Sequence, residues 1–212
     1  MRMIDARGIE KVFMRLSRAN PEPKTELESV NDFTLLVAVV LSAQMTDKGV
    51  NRATGPLFAL VDNPQAMVDL GEEGLKTFIS SVNLYPTKAR HIIALSAMLL
   101  ERYGGKIPST RKELEGLPGV GPKTASVILN VVFGQATVPV DTHLWRIAPR
   151  IGLSVADSVR AMEEDLISKI PARYIHSAHH WLLLHGRYVC TARKPLCDSC
   201  CINDVCPRNG LS

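Results

Sequence analysis

Hydrophobic and polar positions along the chain follow the period of helices. Residues 31–43 (NDFTLLVAVVLSA) are apolar on nearly every side, which predicts a buried central helix. The first twenty residues mix apolar and charged positions in the manner of an amphipathic helix. We find no sustained alternation of period two and no long internal repeat. The pattern therefore predicts an all-α fold with short loops.

Helix start and stop signals divide the rest of the chain. Asn63 followed by Pro64 predicts an N-cap and a first helical residue. Thr110 and Glu113 have the spacing of a capping box, so a short helix should begin there and end near Gly116. Proline and glycine signals bound further helices. These are predicted over 86–102, from residue 122 to a stop at residue 134, and over 155–169 and 174–187.

Composition and charge add modest constraints. The chain has 212 residues, of which 46% are hydrophobic and 22% charged, as in an ordinary folded protein. No apolar run approaches the roughly 20 residues of a membrane span. Asp5 and Glu10 interrupt the N-terminal segment, which lacks the apolar stretch of a signal peptide, so we expect a cytoplasmic protein without a membrane partner. The net charge of +4 suggests a polyanionic partner without establishing one.

The cysteines are all crowded near the C-terminus. Residues 1–189 contain none, whereas five occur between Cys190 and Cys206, a distribution that favours a metal site over a disulfide framework. Four of them have the spacing Cys-x6-Cys-x2-Cys-x5-Cys. Spacing alone leaves an iron–sulfur cluster and a zinc ion equally plausible. The fifth, Cys201, fits the spacing less well than Cys200 and is predicted to be a small packed thiol. The four candidate ligands are Cys190, Cys197, Cys200 and Cys206.

A glycine-containing turn separates two of the predicted helices. In Leu117–Thr124 (LPGVGPKT), Gly119 and Gly121 permit a tight turn and the close approach of another backbone. The turn amides and the following helix N-terminus could then hold a DNA phosphate without reading sequence. A plain helix–helix connection would need the glycines only for its bend, and the turn alone favours that simpler interpretation.

Two side chains near this turn could carry chemistry. Lys123 falls in the first helical turn, where the helix dipole disfavours a charged ammonium and so favours a nucleophilic amine. The alternative is a solvated lysine that contacts phosphate. Asp141, in Val138–His143 (VPVDTH), could return to the amine after the helix, or could simply be the N-cap of the next helix.

In combination, LPGVGPKTA, VPVDTH and the cysteine spacing resemble the endonuclease III family of DNA glycosylases, over roughly residues 13–208. The resemblance implies two helical lobes with a DNA cleft between them, a helix-hairpin-helix and a C-terminal iron–sulfur loop. It implies a helix-hairpin-helix domain over residues 25–135 and an iron–sulfur domain formed by residues 1–24 and 136–212. It also favours one [4Fe-4S] cluster over zinc, held by the four candidate cysteines.

The same resemblance implies a reaction. Lys123 would displace a damaged base and form a Schiff base, Asp141 would assist, and β-elimination would cut the strand on the 3′ side. The expected substrates are oxidised or ring-saturated pyrimidines, or an abasic site, in double-stranded DNA. We expect a nucleoid-associated monomer. Two alternatives remain at this point: a monofunctional mismatch glycosylase, and a catalytically silent DNA-binding iron–sulfur protein.

Further residues are implied as DNA contacts. Gln44 would fill the space left by the flipped base, and Leu84 would wedge between bases unless it is a core leucine. Glu115 resembles an acidic residue near the site, although a solvated helix glutamate is the preferred interpretation. Pro122, Ser126 and the Leu144–Trp145 pair depart from the commonest family sequences. The complete set of implied DNA contacts is Gln44, Leu84, Gly119, Val120, Gly121, Thr124, His143, Arg193 and Lys194.

Three histidines at helical spacing could suggest a second metal site. His176, His179 and His180 have no supporting carboxylate pattern nearby. We therefore predict that they pack along the helix that leads to Cys190. His143 is predicted to be structural or a phosphate contact.

Overall fold

The computed structural model describes residues 1–23 and 25–211, which form α-helices joined by short loops and one 3-10 helix, Ala172–Tyr174. No strand occurs among these residues, so the all-α prediction is confirmed. No helix in this part of the chain is long and apolar enough to cross a membrane. The α-helices are α1 (Ala6–Ala19), α2 (Asp32–Leu41), α3 (Asp47–Phe58), α4 (Pro64–Ile79), α5 (Tyr85–Tyr103), α6 (Arg111–Glu115), α7 (Pro122–Val131), α8 (Thr142–Ile151), α9 (Val159–Lys169) and α10 (Ile175–Tyr188).

Side-chain caps explain where several helices begin. The side chains of Asn31, Asn63 and Thr110 accept hydrogen bonds from the amides of residues 34, 66 and 113, and the sequence predicts the last two of these caps. In α6 the carboxylate of Glu113 also accepts a bond from the Thr110 hydroxyl, at 2.6 Å. These contacts satisfy amides that have no partner within the helix.

Two helices differ from the sequence prediction. The segment predicted as a helix over 155–169 becomes helical only at Val159, because Ser158 caps it by accepting from the Ala161 amide. Helix α3 was not predicted, since Gly49, Gly55 and Pro56 all lower helix propensity. Burial of its apolar face in the core outweighs that preference.

Contacts divide the chain into two compact units. The first consists of Met1–Lys24 and Gly134–Ser212, and the second of Thr25–Phe133. In the second unit, α2 is buried from Phe33 to Leu41 and contacts α3, α5 and α7, while α4 packs along α5. Helices α6 and α7 pack against each other as a helical hairpin.

The first unit has its own hydrophobic core. Helix α8 packs along α10, which also contacts α1. Phe13, Tyr174 and Trp181 form an aromatic cluster in which neighbouring ring centroids lie 5.9 to 6.4 Å apart. The indole Nε1 of Trp181 donates to the carbonyl oxygen of Asn20 at 2.7 Å. These contacts fix the N-terminal helix to the helix that precedes the cysteines.

Candidate functional site

The turn between α6 and α7 requires glycine at one position only. Gly119 has a φ of +79°, and a Cβ added there would lie 3.0 Å from the Cβ of His91. Gly121 is extended, with a φ of −94°, and an added Cβ would meet nothing within 4 Å. The fold therefore explains Gly119, whereas Gly121 leaves open space beside the N-terminus of α7.

The residues around this turn differ in how accessible their side chains and backbone amides are to a ligand. Val120 is buried, and its amide donates to the carbonyl oxygen of Leu117 at 3.1 Å, so both groups are engaged within the turn. Thr124 is half-buried. Gly121 is the N-cap residue of α7 and provides no side-chain cap, which leaves this helix start suited to an external anion.

Lys123 and Asp141 each lie at the N-terminus of a helix, in different units of the chain. Lys123 lies in the first turn of α7, and it is exposed. Asp141 is the N-cap of α8, where Oδ1 accepts bonds from the amides of His143 and Leu144, both at 2.8 Å. The structure thus shows the capping role that the sequence offered for Asp141, and a cap fixes the carboxylate in one orientation without excluding a chemical role.

Gln44 and Leu84 occupy neighbouring surface loops of the second unit. Both have left-handed backbone conformations, with φ values of 57° and 58°, which is uncommon outside glycine. The Leu84 side chain is 61% exposed, so the interpretation as a core leucine is wrong. The Asn83 side-chain amide donates to the carbonyl oxygen of Gln44 at 2.7 Å and joins the two loops.

The other predicted polar residues have identifiable partners. Arg146 lies 3.3 Å from Nδ1 of His143 and also donates to the carbonyl oxygens of Gly186 and Cys190. His143 therefore takes part in the packing of α8 on α10, and its half-buried side chain is still partly exposed. Glu115 forms an ion pair with Arg111 at 3.7 Å along α6, as expected of a solvated helix glutamate.

The histidines of α10 behave mostly as predicted. His179 and His180 are buried and their rings lie 5.2 Å apart, whereas His176 is exposed. His176 therefore does not pack in the core with the other two.

A fourth histidine of α10, His185, was not identified from the sequence. It is buried, and its Nε2 lies 3.7 Å from Sγ of Cys200. Burial lowers the pKa of His185 to about 4, so its ring is neutral at physiological pH.

The four candidate cysteines line a single pocket, whose empty space of about 340 Å³ is partly open to solvent. Cys201 is exposed and does not line it. The prediction that Cys201 is a packed thiol is therefore wrong: its position directly after Cys200 turns its side chain away from the cavity. The cysteines that line the cavity are Cys190, Cys197, Cys200 and Cys206.

The electrostatics of this cavity suit a cationic metal centre. Burial raises the pKa of the Cys200 thiol to about 11, with neighbouring cysteines adding to the effect, and burial also raises the pKa of Cys206. Thiolates there need compensating positive charge, which bound iron supplies.

The cysteines are not arranged around a single metal ion. No three His, Cys, Asp or Glu side chains among residues 1–23 and 25–211 are placed to hold one ion. A cubane needs no such convergence, because each thiolate binds a different iron.

The loop between the first two cysteines is tied down from several sides. Arg150 donates to the carbonyl oxygens of Thr191 and Ala192 at 2.8 and 3.1 Å. The Leu196 amide donates to the Val189 carbonyl oxygen at 2.9 Å. At the tip of this loop the side chains of Arg193 and Lys194 remain exposed. The loop is thus a rigid support that presents two cations.

Comparisons with known proteins agree with these features. The HhH-GPD superfamily of base excision DNA repair proteins matches residues 37–172, and the iron–sulfur binding domain of endonuclease III matches residues 190–206. Endonuclease III of Treponema pallidum is 56% identical over 100% of both chains. Endonuclease III of Escherichia coli is 48% identical and covers 92% of this chain and 93% of its own.

A solved structure gives the same result in three dimensions. A trapped covalent intermediate of an endonuclease III with DNA, containing an estranged adenine, superimposes with a TM-score of 0.89. It is 40% identical, and the match covers 97% of each chain. The fold and its two sites define a base excision repair protein of the HhH-GPD superfamily. Within that superfamily, the chain belongs to the endonuclease III family.

Membership of this family settles the class of activity. The protein is an enzyme of base excision repair, a DNA glycosylase with AP lyase activity, and its partner is DNA. It carries a [4Fe-4S] cluster. The mismatch glycosylase and the silent DNA-binding protein, which the sequence alone left open, are therefore set aside.

Proposed function

We propose that Lys123 is the nucleophile of this enzyme and that the substrates are oxidised or ring-saturated pyrimidines in duplex DNA. The observation that carries the proposal is an exposed primary amine in the first turn of the helix that follows the hairpin turn. An amine there can reach substrate and lies beside a helix N-terminus suited to holding a phosphate. A related protein has been trapped as a covalent intermediate with DNA, which supports a nucleophilic side chain.

The proposed chemistry follows from what a primary amine can do. Nζ of Lys123, as the neutral amine, attacks C1′ of the sugar, the glycosidic bond breaks, and the base leaves with a proton. The sugar ring opens to an imine, which makes the C2′ proton acidic. Removal of that proton breaks the C3′–O bond and cuts the strand on the 3′ side. Water then hydrolyses the imine and restores the amine.

We assign proton handling and charge stabilisation to Asp141. A carboxylate can accept the proton that the attacking amine loses, or stabilise positive charge that develops on the sugar. The two backbone amides that bind its Oδ1 hold this carboxylate at one position. A fixed carboxylate needs no reorganisation during the reaction.

The proposed DNA contacts have different roles. Gly121 and Thr124, at the N-cap and in the first turn of α7, would hold a phosphate, and Gly119 shapes the hairpin turn. Val120 would act only by shaping the turn, since its side chain is buried and its amide bonds within the turn. Gln44 and Leu84 would enter the stack at the flipped base. His143, Arg193 and Lys194 would contact phosphates, the last two from the fixed loop.

The four cysteines that line the cavity are the proposed cluster ligands. When bound, the cluster supplies a rigid covalent anchor for the residues between Cys190 and Cys206, and the reaction has no net redox step that would require it. The residues that line the cavity hold the four cysteines in place, and Arg150 fixes the loop between the first two of them.

We further propose that the two units correspond to a helix-hairpin-helix domain and an iron–sulfur domain. The enzyme would act as a monomer on chromosomal DNA, in the cytoplasm and at the nucleoid.

Reductive trapping tests the proposed function. Purified protein is incubated with duplexes that carry thymine glycol, an abasic site or an adenine mismatch, and borohydride is added. We expect a covalent adduct with the first two duplexes and none with the mismatch. Lys123→Ala should lose the adduct while still binding the duplexes. Absence of any adduct from the unaltered protein with abasic DNA would contradict the lyase assignment.

A further inference from the structure

The two residues proposed to enter the DNA stack share an unusual backbone conformation. Gln44 and Leu84 are two of the three non-glycine residues with positive φ in the described part of the chain. Such conformations are costly and persist where surrounding contacts enforce them. Both side chains are exposed, so packing of the side chains does not enforce the conformation.

Lys88 provides one of the enforcing contacts. It lies on α5, one turn after Leu84, and its amide donates to the Leu84 carbonyl oxygen at 3.0 Å. Its side chain is only 6% exposed. Nζ donates to the carbonyl oxygens of Leu41 at 2.8 Å and Ala43 at 2.6 Å. These carbonyls belong to the last residue of α2 and to the residue directly before Gln44, where an ammonium also complements the helix dipole.

Asn83 provides the second contact, from the other side of Leu84. Its side-chain amide donates to the carbonyl oxygen of Gln44 itself, at 2.7 Å. The peptide groups on both sides of Gln44 are therefore held by side chains from the start of α5. Asn83 and Lys88 flank Leu84 in sequence, so the same short segment fixes both residues that would enter the DNA.

Burial makes an ammonium at this position unfavourable in itself. Burial lowers the pKa of Lys88, which shows that the environment disfavours its charge. A methionine would fill similar space without that cost. What only the ammonium supplies is a pair of donors for the carbonyls of residues 41 and 43.

We propose that Lys88 is a positioning residue which, together with Asn83, fixes the backbone of Gln44 and Leu84 in the conformation that engages DNA at the flipped base. The inference rests on the proposed function of those two residues. Without the clamp, the loop after α2 has to be ordered during binding, and part of the binding free energy is lost to that ordering.

The principal variant is Lys88→Met, with Lys76→Met as the matched control because Lys76 is a surface lysine paired with Glu72 and Glu73. The probe is a duplex with a tetrahydrofuran abasic analogue opposite 2-aminopurine. Lys88→Met should bind it about tenfold more weakly and give a smaller change in 2-aminopurine fluorescence. On abasic DNA, KM should rise about tenfold while kcat stays within about twofold. Lys76→Met should match the unaltered protein.

A double-mutant cycle shows whether Lys88 acts through Gln44. In a Gln44→Ala background, Lys88→Met should weaken binding by less than about twofold. Asn83→Ala, at an exposed position where folding is not at risk, should weaken binding about threefold and show the same dependence on Gln44. If Lys88→Met does not fold, Asn83→Ala alone tests whether these contacts position Gln44 for DNA binding.

Two results would overturn the inference. One is normal DNA binding and fluorescence in Asn83→Ala and in folded Lys88→Met. The other is that Lys88→Met and Asn83→Ala weaken DNA binding as much in the Gln44→Ala background as in the unaltered protein. Failure of the unaltered protein to form a borohydride-trapped adduct would instead count against the proposed function, so the two failures are distinguishable.

Discussion

The two glycines of the hairpin turn have different roles: the fold requires Gly119, whereas Gly121 leaves access to the N-terminus of α7. Gly119 has a left-handed conformation and an added Cβ there would press against His91, whereas Gly121 is extended beside open space. The sequence marked both as turn residues and could not separate them, because the difference depends on a contact with α5.

Alanine at each position should separate the two roles. Gly119→Ala should lower the free energy of unfolding by about 1–2 kcal/mol, from the left-handed conformation alone. Gly121→Ala should change it by less than about 0.5 kcal/mol and still weaken DNA binding, because the added methyl group occupies the approach to the helix start. Denaturant unfolding and binding to abasic-analogue DNA measure both effects. Equal destabilisation by the two substitutions would contradict this assignment.

Adjacent cysteines permit an equally direct comparison. Cys200 lines the cavity and Cys201 does not, so only the first should hold iron. We expect Cys200→Ser to lose the broad visible absorbance of the cluster and its iron. Cys201→Ser should keep both, as measured by absorbance and elemental analysis of the purified proteins. Iron retained in Cys200→Ser but lost in Cys201→Ser would reverse the ligand assignment.

Among single residues, the sequence predicted those that belong to linear motifs and missed those whose roles depend on tertiary contacts. Lys123, Asp141 and the cysteine spacing were recognisable because each lies in a short linear pattern. Lys88 and His185 were not, since a buried lysine and a buried histidine are defined by what surrounds them. No periodicity in the sequence indicates that a helix lysine will bind carbonyls more than forty residues away.

Among the helices, start signals were more informative than propensity. Caps at Asn63 and Thr110 lie where the sequence placed them, because capping is a local interaction. Helix α3 escaped prediction because its stability comes from tertiary burial of Val50, Ala53 and Leu57. Gly71, with a φ of 71°, interrupts α4 at a point that the sequence did not indicate.

Helix α10 should make stability depend on pH. Burial lowers the pKa of His180 below its usual 6.5, so the unfolded chain binds a proton at higher pH than the folded chain does. The contribution to stability is therefore complete above about pH 6.5 and is lost as the pH falls. Between pH 7.5 and 5.5 the loss of unfolding free energy from this histidine should reach at most about 1.4 kcal/mol.

A substitution at His180 isolates this effect. His180→Gln should show a smaller fall in unfolding free energy between the two pH values than the unaltered protein, as measured by denaturant titration. His176→Gln, at an exposed position on the same helix, is the control and should leave the pH dependence unchanged. An unchanged pH dependence in His180→Gln would show that its burial does not govern this titration.

For the whole molecule, the sequence pattern predicted the helical class, and the family resemblance supplied the activity. The structure contributes two compact units, each with its own core, and the placement of the candidate residues within them. The sequence could not supply the hydrogen bonds that hold the loops at Gln44 and at Arg193. Both depend on side chains from helices distant in sequence, namely Lys88 on α5 and Arg150 on α8.

The central claim is that Lys123 carries the covalent chemistry, and the site of attachment tests it most directly. After borohydride trapping on abasic DNA, nuclease and trypsin digestion should yield a modified peptide for mass spectrometry. Trypsin does not cleave after an alkylated lysine, so attachment at Lys123 predicts a single peptide spanning residues 113–146 that carries the sugar remnant. Attachment at the N-terminal amine or at any other lysine, with the chain cleaved normally after Lys123, would contradict the account.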